Sequence, residues 1–521
     1  CHKTYEQSSN CIKHIRNKHV IDPSQFSIFT YNGNYITKET ERILIWKAVQ
    51  GISMYALCDP LFSELFKETV LFSDKTNQKI MNQMSSQIIE MNYQKTANQE
   101  ISLILDGGTI AHIKWLAIGF LHRNLNKPKF NVLDVKVFDK CTSADIKDTI
   151  RIIQDKIIAK YNGKIVAACT DNADNFKKVF IANENDEDDF LRVSCSCHTV
   201  QLVLKDLYKE DKFFRDLVEI MKIIPAKISL LKKKDLEKLQ IDFYPPLQSQ
   251  RWNSIYITLR YITMNIGAIS YLFTQEQIPY LQLIDLLQLQ KELKPIYDFT
   301  TICESDDATQ STVFIQYRAL EALLQLIVTP RAEKILELLN ERFTKTAAID
   351  ISKLCYFTTN GGLAEKHNFY PHVEKNDIID PNDANAIMYD KELSFINNFK
   401  STIEKICHII SYDSEAIWSF FKLMMMYYHP PDCDILKYPG EDELLYFSNN
   451  YAGGNRFYII FSKFINILQI LPSSESGAER VFERMRDSHS EKQTRQSAKS
   501  LRSNIIVNFY ADEIQDSSSD E

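Results

Sequence analysis

Two aspartates stand where an apolar run stops. ISLILD ends on Asp106, and KIVAACT, a compact buried-strand pattern, is followed directly by Asp171. If the two runs are neighbouring strands, both carboxylates emerge at one edge, where ligands of open α/β sheets bind. Hard carboxylate oxygens suit Mg²⁺ or Mn²⁺. A pair of such ions about 3.5–4 Å apart serves phosphodiester chemistry. Aspartate is also a common turn residue at strand ends, and spacing alone leaves both roles open. A second constellation lies at the start of the chain. Cys1, His14 and His19 form a C-x12-H-x4-H run, the second half of a C2H2-type zinc site, with both histidines one helical turn apart. The first cysteine of such a site is expected about three residues upstream of Cys1. The chain opens on Cys rather than Met, which reads as a fragment. A basic helix with incidental histidines gives the same spacing.

The elements that must position these residues follow from hydrophobic periodicity. Residues 36–97 carry helical spacing. Residues 101–212 change character: ISLILD, HIKWLAIGFLH and FNVLDVKVF are strand-like runs with polar turns between them. An amphipathic helix (ADIKDTIRIIQDKIIAKY), the strand KIVAACT, the helix NADNFKKVFIAN, the strand LRVSCSC and the helix HTVQLVLKDLYK come next. The order β-β-β-α-β-α-β-α predicts an antiparallel meander joined to parallel crossovers, the order of a ribonuclease-H-like sheet. Residues 213–465 read as a large helical domain, with loops near 359–392 and 429–455. A helix is predicted from about 475, then a basic polar link and a final helix. Residues 480–502 hold seven Lys/Arg against three acids. The tail 511–521 is acidic and predicted to be disordered. The fold class is therefore α/β plus all-α.

Composition bounds the function. The 521 residues carry 61 Lys+Arg against 68 Asp+Glu, a net charge of -7, so nucleic-acid contacts must come from local patches. The chain has no apolar run long enough to span a bilayer. Eleven scattered cysteines fit no disulfide framework and read as reduced thiols of the cytosol or nucleus. The acidic run 184–189 reads as a solvated loop.

Five motifs recur in one order along the chain. They are TDNADN (170–175), SCSCHTVQLVLKD (194–206), QRWNSIYITLRYI (250–262), LKPIYDFTT (293–301) and LPSSESGAERVF (471–482). In this order they resemble the hAT superfamily of DNA transposases and their domesticated relatives. The second motif has Cys195, His198, Val200 and Leu202 where that family has C-x-x-H-x-L-x-L. The fifth resembles the Ser-rich signature of the family's C-terminal dimerisation region. The zinc-type run resembles a truncated BED finger. The chain departs from the family at Asp106-Gly107-Gly108-Thr109, where Trp usually follows the first Asp after one residue, and at Glu483, where Ser is usual.

The resemblance implies a ribonuclease-H-like core interrupted by a helical insertion, with a D-D-E triad of Asp106, Asp171 and Glu479. These carboxylates would hold Mg²⁺ or Mn²⁺. Trp252 would stack on an unstacked base, worth about 1–3 kcal/mol, although a core Trp fits the same helix. Arg251 reads as a phosphate contact or a surface Arg. His198 is read with DNA positioning rather than zinc, and Cys197 as a small buried residue. Zn²⁺ would bind at Cys1, His14 and His19 once an upstream ligand is supplied. The expected partners are transposon-end DNA and a second copy in a homodimer or higher oligomer, in the nucleus and without a membrane. The alternative is a domesticated, non-cutting DNA-binding protein. A third expectation is a scaffold that dimerises through Val481, Phe482, Leu501, Ile505, Ile506 and Phe509.

Overall fold

The computed structural model describes residues 26–31, 34–49, 74–110, 112–124, 127–180, 190–231, 244–245, 247, 253–272, 282–305, 307–346, 348–366, 395–428, 430, 437–451, 454–488 and 497–519. The zinc-type run with Cys1, His14 and His19, the acidic run 184–189, and Arg251 with Trp252 lie outside the described residues.

In chain order the elements begin with β1 (Phe26–Tyr31), β2 (Asn34–Thr37), α1 (Lys38–Val49), α2 (Asp74–Gln94), β3 (Glu100–Ile110), β4 (Ile113–Asn124), β5 (Lys127–Phe138) and α3 (Ser143–Tyr161). Next come β6 (Lys164–Thr170), α4 (Asp174–Phe180), β7 (Leu191–Ser194), α5 (Ser196–Glu210), α6 (Lys212–Ser229), α7 (Asn253–Met264), α8 (Ile266–Ser270), α9 (Leu283–Cys303) and α10 (Gln310–Gln325). The chain continues through α11 (Pro330–Thr346), α12 (Ala348–Phe357), α13 (Asn360–Glu365), α14 (Lys400–Ile410), α15 (Ser414–Tyr427), α16 (Glu441–Tyr451), α17 (Asn455–Gln469), α18 (Ser476–Ser488) and α19 (Ala498–Ser519). The main sheet is mixed, with strand order β5-β4-β3-β6-β7. β3 and β4 pair antiparallel and β6 and β7 pair parallel. The predicted succession of strands and helices over 101–212 is the one observed.

The chain divides into two compact units, Cys1–His122, Phe130–Ile165 and Ser476–Glu521 against Arg123–Lys129 and Val166–Glu475. In the first, α3 is set by a capping box. The Thr142 hydroxyl accepts from the Asp145 N–H, and the Asp145 carboxylate accepts from the Thr142 N–H. This reciprocal arrangement satisfies two N–H groups that a helix start leaves open. Apolar side chains at helical spacing (Ile146, Ile150, Ile153, Ile157) are buried. The final helix α19 lies along α2, with the Ser500 hydroxyl donating to Gln78 at 2.6 Å and the Ser503 hydroxyl to Asn82 at 2.8 Å.

The second unit holds β6, β7 and the helical insertion. Glu292 of α9 is fully buried and paired. Arg331 donates to it at 2.8 Å and Thr329 at 2.8 Å. The same Arg331 donates to Asp211, the N-cap of α6, at 2.8 Å. A buried carboxylate without such partners would cost several kcal/mol (~3–5).

Several expectations are corrected. Asp106 does not end its strand: β3 continues to Ile110, and Asp106 pairs with Ala117. The chain forms α16 inside the 429–455 stretch predicted as loop, because EDELLYFSNNY places acids in the first turn and apolar residues behind them. The tail is helical as far as Ser519, since α19 simply continues past residue 510. Val481, Phe482, Leu501, Ile505 and Ile506 are buried within the first unit, so the proposed dimer face serves as core.

Candidate functional site

The second acid motif folds as a tight turn. β6 is buried along almost its whole length, so the chain must turn at the first polar residue. Asp171 does this by capping: its Oδ1 accepts from the Ala173 N–H at 2.9 Å. Asn172, buried, donates to the Thr199 hydroxyl at 3.3 Å. Arg192 of β7 reaches across, donating from Nη2 to the Asp171 carbonyl at 3.2 Å and lying near the Phe180 ring. Asp171 and Asn172 of the turn itself, Arg192 of β7 and Thr199 of α5 thus hold it.

The neighbouring C-x-x-H element caps α5. The Cys195 N–H donates to the Thr170 carbonyl at 3.0 Å. The Cys195 thiol accepts from the His198 N–H at 3.3 Å, standing in for the usual N-cap oxygen. Burial pushes the thiols of Cys195 and Cys197 up, so both stay protonated and unreactive. Burial also lowers the pKa of the His198 imidazole, the nearby Asp171 carboxylate opposes that, and Lys205 and Lys177 add to it. The imidazole is therefore largely neutral and can donate or accept one hydrogen bond.

The first unit presents the other two acids. Asp106 is half-buried on β3. Strand alternation puts Asp106 and Gly108 on one face. That face is covered by α18, whose Phe482 lies on Gly108. Glu479 sits in the first turn of α18, where a carboxylate favours the helix dipole. Asp106 and Glu479 therefore belong to packed elements of one unit, and His198 and Asp171 to the other. Among the described residues, no group of three or more His, Cys, Asp or Glu is arranged to hold a metal ion.

Sequence reasoning missed Arg192. A single charged residue inside the otherwise apolar β7 (LRVS) was the available signal. The basic stretch 480–502 is a local patch of seven Lys/Arg in the sequence. In the structure the Arg484 guanidinium stacks 4.0 Å from the Phe509 ring and donates to Asn508 at 3.0 Å. Arg480 lies over Phe130, and Arg502 pairs with the buried Asp134 at 2.5 Å. These arginines build the unit's interior contacts. None of the described helices is long and apolar enough to cross a membrane. Compared with known protein families and with curated proteins, the chain matches none.

Proposed function

We propose that the chain is an hAT-like DNA transposase, with a ribonuclease-H-like core and Asp106, Asp171 and Glu479 as its acids. The observation that carries this reading is the docking of α18 on β3. The helix bearing Glu479 returns after the whole helical insertion and covers the face of β3 that bears Asp106. Support comes also from the strand order β5-β4-β3-β6-β7, a meander followed by two parallel strands. The motifs TDNADN and SCSCH contribute as well: the first makes the turn at Asp171 and the second the cap carrying His198.

The donor chemistry of three carboxylates fits a hard divalent cation, while the described side chains do not form a metal-holding group. A bound Mg²⁺ or Mn²⁺ would supply stabilisation of the attacking and leaving oxygens of a phosphodiester. Of this chain's own residues, His198 has the protonation state to hydrogen-bond a phosphate oxygen, and the Arg192 contact holds the Asp171 turn. Trp252 and Arg251 would meet DNA, and Cys1, His14 and His19 would hold Zn²⁺ with one further ligand. A homodimer in the nucleus completes the reading, and its interface would use surfaces other than the buried Val481 and Phe482.

The second reading is a domesticated DNA-binding protein that does not cut. Mn²⁺ titration of the protein, read by the magnetic resonance of free Mn²⁺, separates the two. The first reading expects tight sites that weaken at least about tenfold, ~1.4 kcal/mol, in Asp106→Ala, Asp171→Ala and Glu479→Ala alike. Equal, weak binding by all four proteins would favour the second.

A further inference from the structure

Two side chains close the outer edge of β5. Among the described residues β5 pairs with β4 alone, so it ends the strand order. An edge strand presents backbone N–H and C=O groups that another strand can take up. At Val135 both groups are already engaged. Its N–H donates to Asp134 Oδ1 at 2.7 Å, and its carbonyl accepts from Arg502 Nε at 3.0 Å. The two side chains also bind each other. Arg502 donates to Asp134 Oδ1 from Nη2 at 2.5 Å and from Nε at 3.1 Å. Asp134 thus supplies an acceptor and Arg502 a donor, the two groups that one residue of a neighbouring strand would offer.

The residue types fit that task. Residues 130–138, FNVLDVKVF, are rich in Val and Phe and contain neither Gly nor Pro, a composition prone to strand pairing. Asp134 interrupts the run and is only 5% exposed. A buried charge needs a partner. Arg502 provides it, and Lys136 pairs with Oδ2 at 2.8 Å. Helix α19 brings Arg502 to this place, because Ser500 and Ser503 beside it bind Gln78 and Asn82 of α2. The same α2 reaches β5 directly, with Asn92 Nδ2 donating to the Val132 carbonyl at 2.8 Å. All of these residues belong to the first unit.

We infer that the Asp134–Arg502 pair is an autoinhibitory contact: it takes the hydrogen-bonding place of a further strand on β5 and so keeps β5 from pairing with β5 of a second copy. Withdrawing Arg502 frees the Val135 carbonyl and removes a counter-ion of Asp134. Val137, 41% exposed on the same strand, adds apolar surface beside the opened edge. A second copy is the fitting occupant because an edge strand meeting its own copy is self-complementary about a two-fold axis. The inference is independent of the DNA chemistry proposed above.

Sedimentation velocity of the full chain over a range of concentrations tests it. The variants are Arg502→Met, which keeps the stem and removes the donors, and Arg502→Met/Val137→Lys. Gly108→Ala serves as a destabilised control in the same unit. Arg502→Met should self-associate at least roughly tenfold more tightly than wild type, with slower amide exchange over residues 132–137 in the associated species. Adding Val137→Lys should abolish the gain, because lysines on the paired edges repel. Gly108→Ala should stay at the wild-type level. Wild-type association in Arg502→Met would overturn the inference. So would equal association in Gly108→Ala, which marks partial unfolding, or association that survives Val137→Lys. If Arg502→Met does not fold, Arg502→Lys takes its place. It keeps a cation at Asp134 without the planar fork, and a smaller gain in association is expected, its absence counting against the contact.

Discussion

Gly108 and Phe482 share one space: a Cβ on Gly108 would lie 2.8 Å from the Phe482 ring. The contact joins β3, the first strand of the meander, to a helix far along the chain. Its converse lies nearby. A Cβ on Gly477 of α18 would lie 2.5 Å from the Phe130 ring of β5, and one on Gly119 of β4 would lie 2.2 Å from it. Helix and sheet thus exchange a ring for a glycine in each direction. Gly108 is the residue that makes room for Phe482.

Gly108→Ala should therefore destabilise the protein by about 1–3 kcal/mol, the usual cost of overpacking. Phe482→Leu should relieve part of that, so the pair should couple in a double-mutant cycle. Urea denaturation of the four proteins reads this directly. Strictly additive effects would mean that the two residues do not press on one another.

Arg502 pairs with the buried Asp134 and also donates to the Val135 carbonyl at 3.0 Å. Arg502→Gln should cost about 1–3 kcal/mol of stability. It should leave the salt dependence of DNA binding unchanged, because this arginine is spent inside the fold. A shallower salt slope in the variant would return Arg502 to the DNA interface.

Much of this was legible in the sequence. KIVAACT is β6 residue for residue, a short apolar run bounded by Gly163 and Asp171 and too short for a helix of ordinary length. The helices of the insertion follow from their 3.6 spacing. Other features were not legible, each for a physical reason. β3 runs past Asp106 because cross-strand pairing with β4 extends it through two glycines of weak strand propensity. The β1–β2 hairpin was overlooked although Asn32-Gly33 is a strong hairpin signal. The roles of Arg480 and Arg502 depend on partners far away in sequence, which no local pattern reveals.

His198 should titrate below its ordinary 6.5, since burial favours the neutral ring. The sign follows. Below 6.5 the unfolded chain binds a proton that the folded chain refuses, so stability falls as pH drops through 6.5 toward the folded value. His198→Gln should flatten the pH dependence of denaturation in that window. Asp171→Asn should lower the His198 pKa further, read by NMR titration. A rise in Asp171→Asn would contradict the influence of the Asp171 charge on His198.

Glu90 links α2 to α3. Hydrogen bonds from Lys160, then Tyr161, hold its carboxyl down at about 2. A depressed carboxylate adds stability that is fully present above the ordinary 4.5 and is lost as pH falls through about 2. Glu90→Gln should therefore lose stability at neutral pH and show a smaller loss on acidification between these values. An identical acid profile in wild type and variant would refute the link.

The most direct test of the account is metal-dependent cleavage of DNA bearing the chain's own terminal repeats. Wild type would be run in Mn²⁺ and Mg²⁺ beside Asp106→Ala, Asp171→Ala and Glu479→Ala. The account predicts cutting by wild type and its loss in all three variants, with DNA affinity kept. Cutting that survives any one substitution, or binding without cutting by wild type, would contradict it.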